Sequence, residues 1–274
     1  MVHHDRVRQH YDLASPHYRA LWGVHIHHGY WELGDESKEL AQEKLVELLA
    51  RTADVRSGMR LLDVGCGIGG SCVQLATRWG VRVCGITLSP VQAEMARELA
   101  AEQHAEVEVR VMDAQAMSFA KEGAPPFDRI WSIEALSHLS DQRAFFQNAA
   151  ELLAPGGRVA VIDWFEAEGL SDQRRARFVD PIRSGMLTPG MTTMERYAGY
   201  LEEAGLRVSV REDLSAHVRR TWDLTIAMLV DRNLWALAAA HGPEFVAFLR
   251  AFRAMRRGYA SGALRYGMLV AERG

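Results

Sequence analysis

The chain has 274 residues, 48% hydrophobic and 24% charged, with a formal net charge of −3 at pH 7. That balance carries no basic footprint for nucleic acid, and no apolar run approaches the roughly 18 residues of a membrane span. Three cysteines, Cys66, Cys72 and Cys84, suit no disulfide framework, and the opening "MVHHDRVRQHYDL" has no apolar signal core, so a reducing cytoplasm is the expected setting.

Residues 1–37 are rich in histidine and aromatics and are expected to form an N-terminal helical lid. From residue 38, "KELAQEKLVELLARTADV" spaces its apolar residues as a helix running towards Gly58. "MRLLDVG" reads as a buried strand, "GSCVQLATRWG" as a helix closed by Gly80, and "VRVCGITLS" as a second strand. The next helix, "SPVQAEMARELAAEQ", opens with Ser89 as N-cap and Pro90 at its first position. Strands "AEVEVRVMD" and "FDRIWSI", helix "DQRAFFQNAAELL", turn "APGG" and strand "RVAVIDWF" continue the alternation. Helix "MERYAGYLEEAG" and strands "LRVSVRED" and "LRYGMLVAER" close it. This rhythm predicts an α/β domain over residues 38–274: a doubly wound, mostly parallel, seven-stranded sheet. Insertions at about 165–195 and 215–260 are expected to cover the carboxyl edge, where such sheets bind ligands.

The stretch "LLDVGCGIGG" places Gly65, Gly67, Gly69 and Gly70 between a strand and a helix, where free backbone N–H groups meet a positive helix end. Gly65, Gly67 and Gly70 match the G-x-G-x-x-G turn of nicotinamide enzymes, but that turn wants an acid about 20 residues on, at the end of the second strand. Thr87 stands there instead. Asp63, two residues before Gly65, would repel a pyrophosphate and suits a ligand with a cationic amino group. S-adenosylmethionine is such a ligand.

With these residues the chain resembles class I S-adenosylmethionine-dependent methyltransferases, and the resemblance implies a Rossmann-like sheet with its last strand antiparallel. "LLDVGCGIGG" looks like their first motif, "VMDAQAMSF" like their adenine motif, and "FDRIWSIEALSHLSD" and "LLAPGGRVAVIDW" like the next two. "GITLSPVQA" is similar to the subgroup of tocopherol methyltransferases, sugar O-methyltransferases and cyclopropane-type enzymes, and the two termini look most like the tocopherol group. The resemblance implies that Thr87, Leu88 and Gln92 line the cofactor site and that Asp113 accepts from the adenine amine, with Ala114, Gln115 and Ile133 beside it. It also places Tyr11 and Tyr18 at the cofactor's amino acid end.

Methyl transfer is an in-line displacement that often needs a proton removed from the acceptor. His138, after the fourth strand, and Asp163, at the end of the fifth, come from adjacent strands, so the pair is expected to meet as a carboxylate-oriented histidine. In the sugar O-methyltransferases that this sequence resembles, a His and an Asp at the matching positions act so. Glu134 is a third candidate on the substrate side. The expected reaction is methylation of a small, largely apolar acceptor at a phenolic or sugar oxygen or an aromatic carbon. Alkene, prenyl or nitrogen acceptors, a cyclase role and a non-catalytic ligand-binding homologue are the alternatives. His25, His27 and His28 lack a matching Cys or acid cluster, so no metal is expected. The late insertion suits a cover for an apolar molecule or a homodimer contact. Arg250, Arg253, Arg256 and Arg257 form one stripe that reads as a solvated face or a phosphate contact.

Overall fold

A computed structural model describes residues 3–274, apart from the side chains at 233 and 237. The chain opens with α1 (His3–Leu21) and an irregular stretch to residue 37, followed by α2 (Lys38–Thr52), whose N-cap Ser37 accepts from the Leu40 N–H. α2 stops six residues short of Gly58 because the Ala53 N–H turns back onto Leu49 and Arg51, and Asp54 then takes a left-handed conformation. Alternation follows through β1 (Arg60–Val64), α3 (Gly70–Trp79), β2 (Arg82–Thr87), α4 (Pro90–Glu102), β3 (Val107–Val111), β4 (Phe127–Ile133), α5 (Gln142–Leu152) and β5 (Leu153–Glu166). Beyond it come α6 (Asp172–Phe178), α7 (Asp180–Gly185), α8 (Met194–Glu203) and β6 (Arg207–Asp213). The chain ends with α9 (Ser215–Val218), α10 (Arg220–Met228), α11 (Arg232–His241), α12 (Pro243–Ser261) and β7 (Leu264–Glu272).

The seven strands lie in the order β3-β2-β1-β4-β5-β7-β6, and β7 runs antiparallel to both of its neighbours. Side chains alternate across a sheet, and the core follows. Leu61 joins the cluster on one face with Leu45, Leu49 and Tyr266, whereas Leu62 joins the other with Phe146, Phe165 and Tyr197. The "APGG" turn lies inside β5, because Leu153 already pairs with Phe127 before a register shift lets the strand resume at Arg158.

Strand order reverses between β1 and β4, so the loops after these strands diverge and leave a crevice. α1 lies across that crevice. Arg19 binds Glu98 and Glu102 of α4, Asp12 accepts from Ser89 at 2.5 Å, and Arg6 reaches Glu244 of α12. α10, α11 and α12 pack together beside α7 and form the opposite cover.

Close approach at the switch point demands a missing side chain. A Cβ on Gly65, at φ +77°, would lie 2.2 Å from the Ala135 Cβ, whereas Gly58, at φ +82°, has open space around it. Gly58→Ala is therefore expected to cost only the left-handed backbone penalty, about 1–2 kcal/mol. Gly65→Ala should lower the urea midpoint clearly further, since it adds a clash between two strand ends.

Candidate active site

The glycine turn is built by its backbone. Gly65 and Cys66 N–H groups both donate to the Ile86 carbonyl, at 2.9 and 3.0 Å, which folds the chain after β1 back over the end of β2. Gly67, at φ +54°, then faces the crevice. Gly69 has a different duty: a Cβ there would lie 2.8 Å from the Ala96 Cβ, so it serves the packing of α3 on α4 and lies outside the cavity wall. Asp63 is 3% exposed, and its hydrogen-bond partner is the Cys72 thiol at 3.1 Å. Burial pushes its carboxyl up to about 6, and no cationic side chain pairs with it among the described residues. At the end of β2, Thr87 donates to Gln92 Oε1 at 2.7 Å, while Ser89 caps α4.

Tyr11, Tyr18, Asp63, Gly65, Gly67, Thr87, Leu88, Gln92, Ala114, Ile133, Glu134 and His138 line one continuous cavity. Asp113, Gln115 and Asp163 lie outside its wall. Asp113 pairs with His4 Nδ1 at 2.9 Å and accepts from the Gln115 N–H. Gln115 Oε1 accepts from the Ser140 hydroxyl and the Asp141 N–H, and its amide also meets His4. The first turn of α1 thus covers the acid that the sequence offered to an adenine.

Glu134 follows β4 with a left-handed backbone, φ +54°. Its Oε1 accepts three hydrogen bonds: from the His28 N–H at 2.7 Å, the His28 ring at 2.8 Å and the Tyr266 hydroxyl at 2.6 Å. Trp222 Nε1–H donates to His28 Nε2 at 2.6 Å, so Nδ1 carries the ring proton that faces the carboxylate. Burial alone would raise the Glu134 carboxyl, but the electrostatics of the neighbouring imidazoles and the hydrogen bonds from the His28 ring and N–H outweigh it and hold the group below its ordinary value. Gln42 of α2 donates to the carbonyls of His25 and His27, and Thr221 accepts from the Gly29 N–H, which fixes this loop between α2 and the roof. The His28–Glu134 pair spans 106 positions, and no local pattern announces it; the histidine-rich stretch was visible in the sequence, its partner was not.

The expected contact between His138 and Asp163 is not formed. Asp163 is fully buried, and its two oxygens accept from the backbone N–H groups of Ser137 and Trp164, at 2.8 and 2.7 Å. Burial raises its carboxyl to about 7. A carbonyl orients the imidazole instead: His138 Nδ1–H donates to Leu187 at 2.8 Å. Nε2 then holds the lone pair, and the Tyr11 hydroxyl donates to it at 3.0 Å. Tyr11, assigned to the cofactor's amino acid end, thus has its hydroxyl on the catalytic candidate. Burial lowers the His138 imidazole to about 4.

Away from the glycines the wall turns apolar, with Trp222, Phe245, Phe248 and Phe252 from the roof and Met186 after α7. His10 sits there against Phe245 and Phe248, and burial pushes it down to about 4. Arg250, Arg253, Arg256 and Arg257 are exposed and absent from the wall, with Arg256 paired to Asp223. The rings of His25 and His27 lie 5.1 Å apart, tilted by 58°. Among the described residues no helix is long and apolar enough to cross a membrane.

Comparison with known proteins decides the class. Residues 2–257 match the family model described as mycolic acid cyclopropane synthetase. The chain belongs to this family. It is 32% identical over 267 residues to the 27-O-demethylrifamycin SV methyltransferase of Amycolatopsis mediterranei, covering 96% of this chain and 95% of that protein. It is 29% identical to the chloroplastic tocopherol O-methyltransferase of Arabidopsis thaliana, covering 97% and 81%. The crystal structure of the [4+2]-cyclase SpnF superposes with a TM-score of 0.84 at 26% identity, covering 97% of this chain and 94% of that one. That of the mycolic acid cyclopropane synthase CmaA1 with bound S-adenosylhomocysteine has a TM-score of 0.85 at 24% identity, covering 99% and 98%. The protein is an S-adenosylmethionine-dependent methyltransferase. The site fits that donor: a buried carboxylate without a counter-charge stands before a turn whose glycines leave room at the crevice.

The buried histidines set a pH dependence of folding. The imidazoles of His10 and His138 lie near 4 in the folded chain and near 6.5 when unfolded, so their contribution to stability is lost as pH falls through that window. Asp63 and Asp163 act with the opposite sign, since their raised folded values relieve a penalty as pH falls. His10→Phe is expected to gain on the parent in urea denaturation as pH drops from about 7 to about 5. A difference independent of pH would show that the folded chain accommodates a charged His10.

Proposed function

We propose that this methyltransferase acts on a hydroxyl group of a mainly apolar small molecule, with His138 receiving the proton. One observation carries this reading: His138 Nδ1–H is committed to the Leu187 carbonyl, so the basic Nε2 is the nitrogen left on the cavity side, where it meets the Tyr11 hydroxyl in an otherwise largely apolar wall. The relatives named for 27-O-demethylrifamycin SV and tocopherol support an apolar acceptor. The donor side of the reading uses Asp63 for the cationic amino group, Gly65 and Gly67 for close approach, and Thr87, Leu88 and Gln92 along the wall. Asp113, Ala114, Gln115 and Ile133 form its adenine end, which Asp113 can serve only once His4 has left it.

Bound there, S-adenosylmethionine supplies an electrophilic methyl group on a sulfonium. The chain's own residues supply alignment, on the order of 7–11 kcal/mol for well-held reactants, and a proton acceptor, about 10²–10⁴-fold. The apolar walls exclude water from the reacting pair. Glu134 favours a second reading. A carboxylate held ionised in the wall near Trp222 would stabilise a carbon acceptor that becomes cationic on methylation.

Three measurements test the reading. Labelled methyl donor with a panel of apolar phenols, hydroxylated macrocycles and prenyl compounds, followed by NMR of the product, reads the acceptor class and the methylated atom. Methyl groups only on carbon would replace the oxygen reading with the second one. His138→Gln is expected to lower kcat about 10²-fold or more and leave S-adenosylhomocysteine affinity within about threefold, whereas equal loss of both would make His138 structural. Ionised Asp63 favours the ligand's ammonium, so calorimetric affinity for S-adenosylhomocysteine should fall as pH drops through about 6. Asp63→Asn should bind more weakly and lose that dependence.

A further inference from the structure

The basic nitrogen of His138 is covered. Its Nε2 accepts from the Tyr11 hydroxyl at 3.0 Å, and the two rings stand edge to face, 5.6 Å apart. A neutral imidazole has one acceptor nitrogen, and with Nδ1–H held by Leu187 no second lone pair remains for a substrate. Tyr11 and His138 both line the cavity. With its proton turned to Nε2, the phenolic oxygen still has two acceptor lone pairs, and no other hydrogen-bond donor to it is present among the described residues.

We propose that Tyr11 is a catalytic relay: the acceptor hydroxyl donates to Tyr11 Oη, and the proton reaches His138 through the tyrosine. The inference rests on the reading that His138 receives the proton. As the acceptor oxygen forms its bond to the methyl carbon, the carbon–sulfur bond breaks and sulfur keeps that pair. The acceptor O–H proton passes to Tyr11 Oη, and the original Tyr11 proton passes to Nε2. An imidazolium results, with Nδ1–H still on the Leu187 carbonyl and with ionised Glu134 nearby to favour its charge. Tyrosinate never accumulates, which suits a hydroxyl whose ionisation burial strongly opposes.

Tyr11 lies on α1, so the relay exists only while α1 spans the crevice. The same helix is tied down by Asp12 to Ser89, by Arg19 to α4 and by His3, whose ring contacts the His138 carbonyl at 3.0 Å. Enclosing the substrate and completing the base are then one event.

A pair of phenols separates a relay from a packing role, because an acceptor that is already ionised needs no relay. At about pH 8.5, where 4-nitrophenol is largely ionised and 4-methoxyphenol is neutral, Tyr11→Phe should lower kcat about 10²-fold for the neutral phenol and less than about threefold for the ionised one. His138→Gln should repeat the pattern, and the double variant should be no worse than either single one. Equal losses with both phenols overturn the relay.

A second readout is independent of any acceptor. In protein labelled with nitrogen-15 histidine, Tyr11→Phe should move the His138 Nε2 resonance and leave Nδ1 in place; an unmoved Nε2 overturns the relay as well. Should the parent methylate neither phenol, the phenolic acceptor class fails, and the Nε2 resonance alone decides whether Tyr11 holds the base.

Discussion

A buried negative charge sets the terms for the closed cavity. Glu134 stands at the end of β4 in a left-handed conformation, with its N–H fixed to the Ile162 carbonyl of β5. A carboxylate in that position must be hydrogen-bonded, because a buried charge left uncompensated costs about 3–5 kcal/mol. Its partners come from far along the chain: His28 from the segment after α1, Tyr266 from β7 and, through His28, Trp222 from α10. Satisfying one carboxylate therefore pins the N-terminal segment and the roof to the sheet edge. The irregular stretch before α2 keeps its path because its carbonyls and N–H groups meet Gln42 and Thr221 in the same region.

The same logic explains the separation of His138 from Asp163. A short turn after β4 leaves several backbone N–H groups without helical partners, and Asp163 takes the one at Ser137. It acts one residue before His138, through the backbone, and leaves the imidazole to the Leu187 carbonyl. That carbonyl belongs to a residue with φ +55°, at the end of the insertion after β5. The histidine tautomer thus depends on the 165–195 insertion.

The fold was legible wherever sequence neighbours are also structural neighbours. The turn after β1, the Ser89 cap with Pro90 and the Gly80 stop of α3 are local devices, and each lies where its residues read. The doubly wound, mostly parallel sheet follows from alternation and crossover handedness, whereas the place of the antiparallel β7 between β5 and β6 does not. The end of α2 was misjudged because Ala53 and Asp54 turn the chain without a glycine. In the site, Gly65 and Gly67 of the glycine turn, with Asp63, Thr87 and Ile133 at strand ends, reach one cavity, since the switch point gathers them. What stayed hidden was pairing over distance. Tyr11 with His138, His28 with Glu134 and His4 with Asp113 span over 100 positions each, and each pair needs the path of α1 to be known first.

α1 also divides the cavity into two sides. The sheet edge and its glycine turn supply the buried Asp63 carboxylate, which has no cationic partner among the described residues. Tyr11, His28, Glu134 and His138 hang instead on α1, on the 22–28 loop and on the turn after β4. Changing Tyr11 would alter what meets His138 without touching the residues that build the β1–β4 crevice. The likeness to the [4+2]-cyclase SpnF and to the cyclopropane synthase CmaA1, at TM-scores of 0.84 and 0.85 with identities of 26% and 24%, shows one backbone kept while most side chains differ. In this chain the polar groups of the cavity wall are set by a few long-range hydrogen bonds at the lid. The sheet supplies a fixed edge against which those bonds are made.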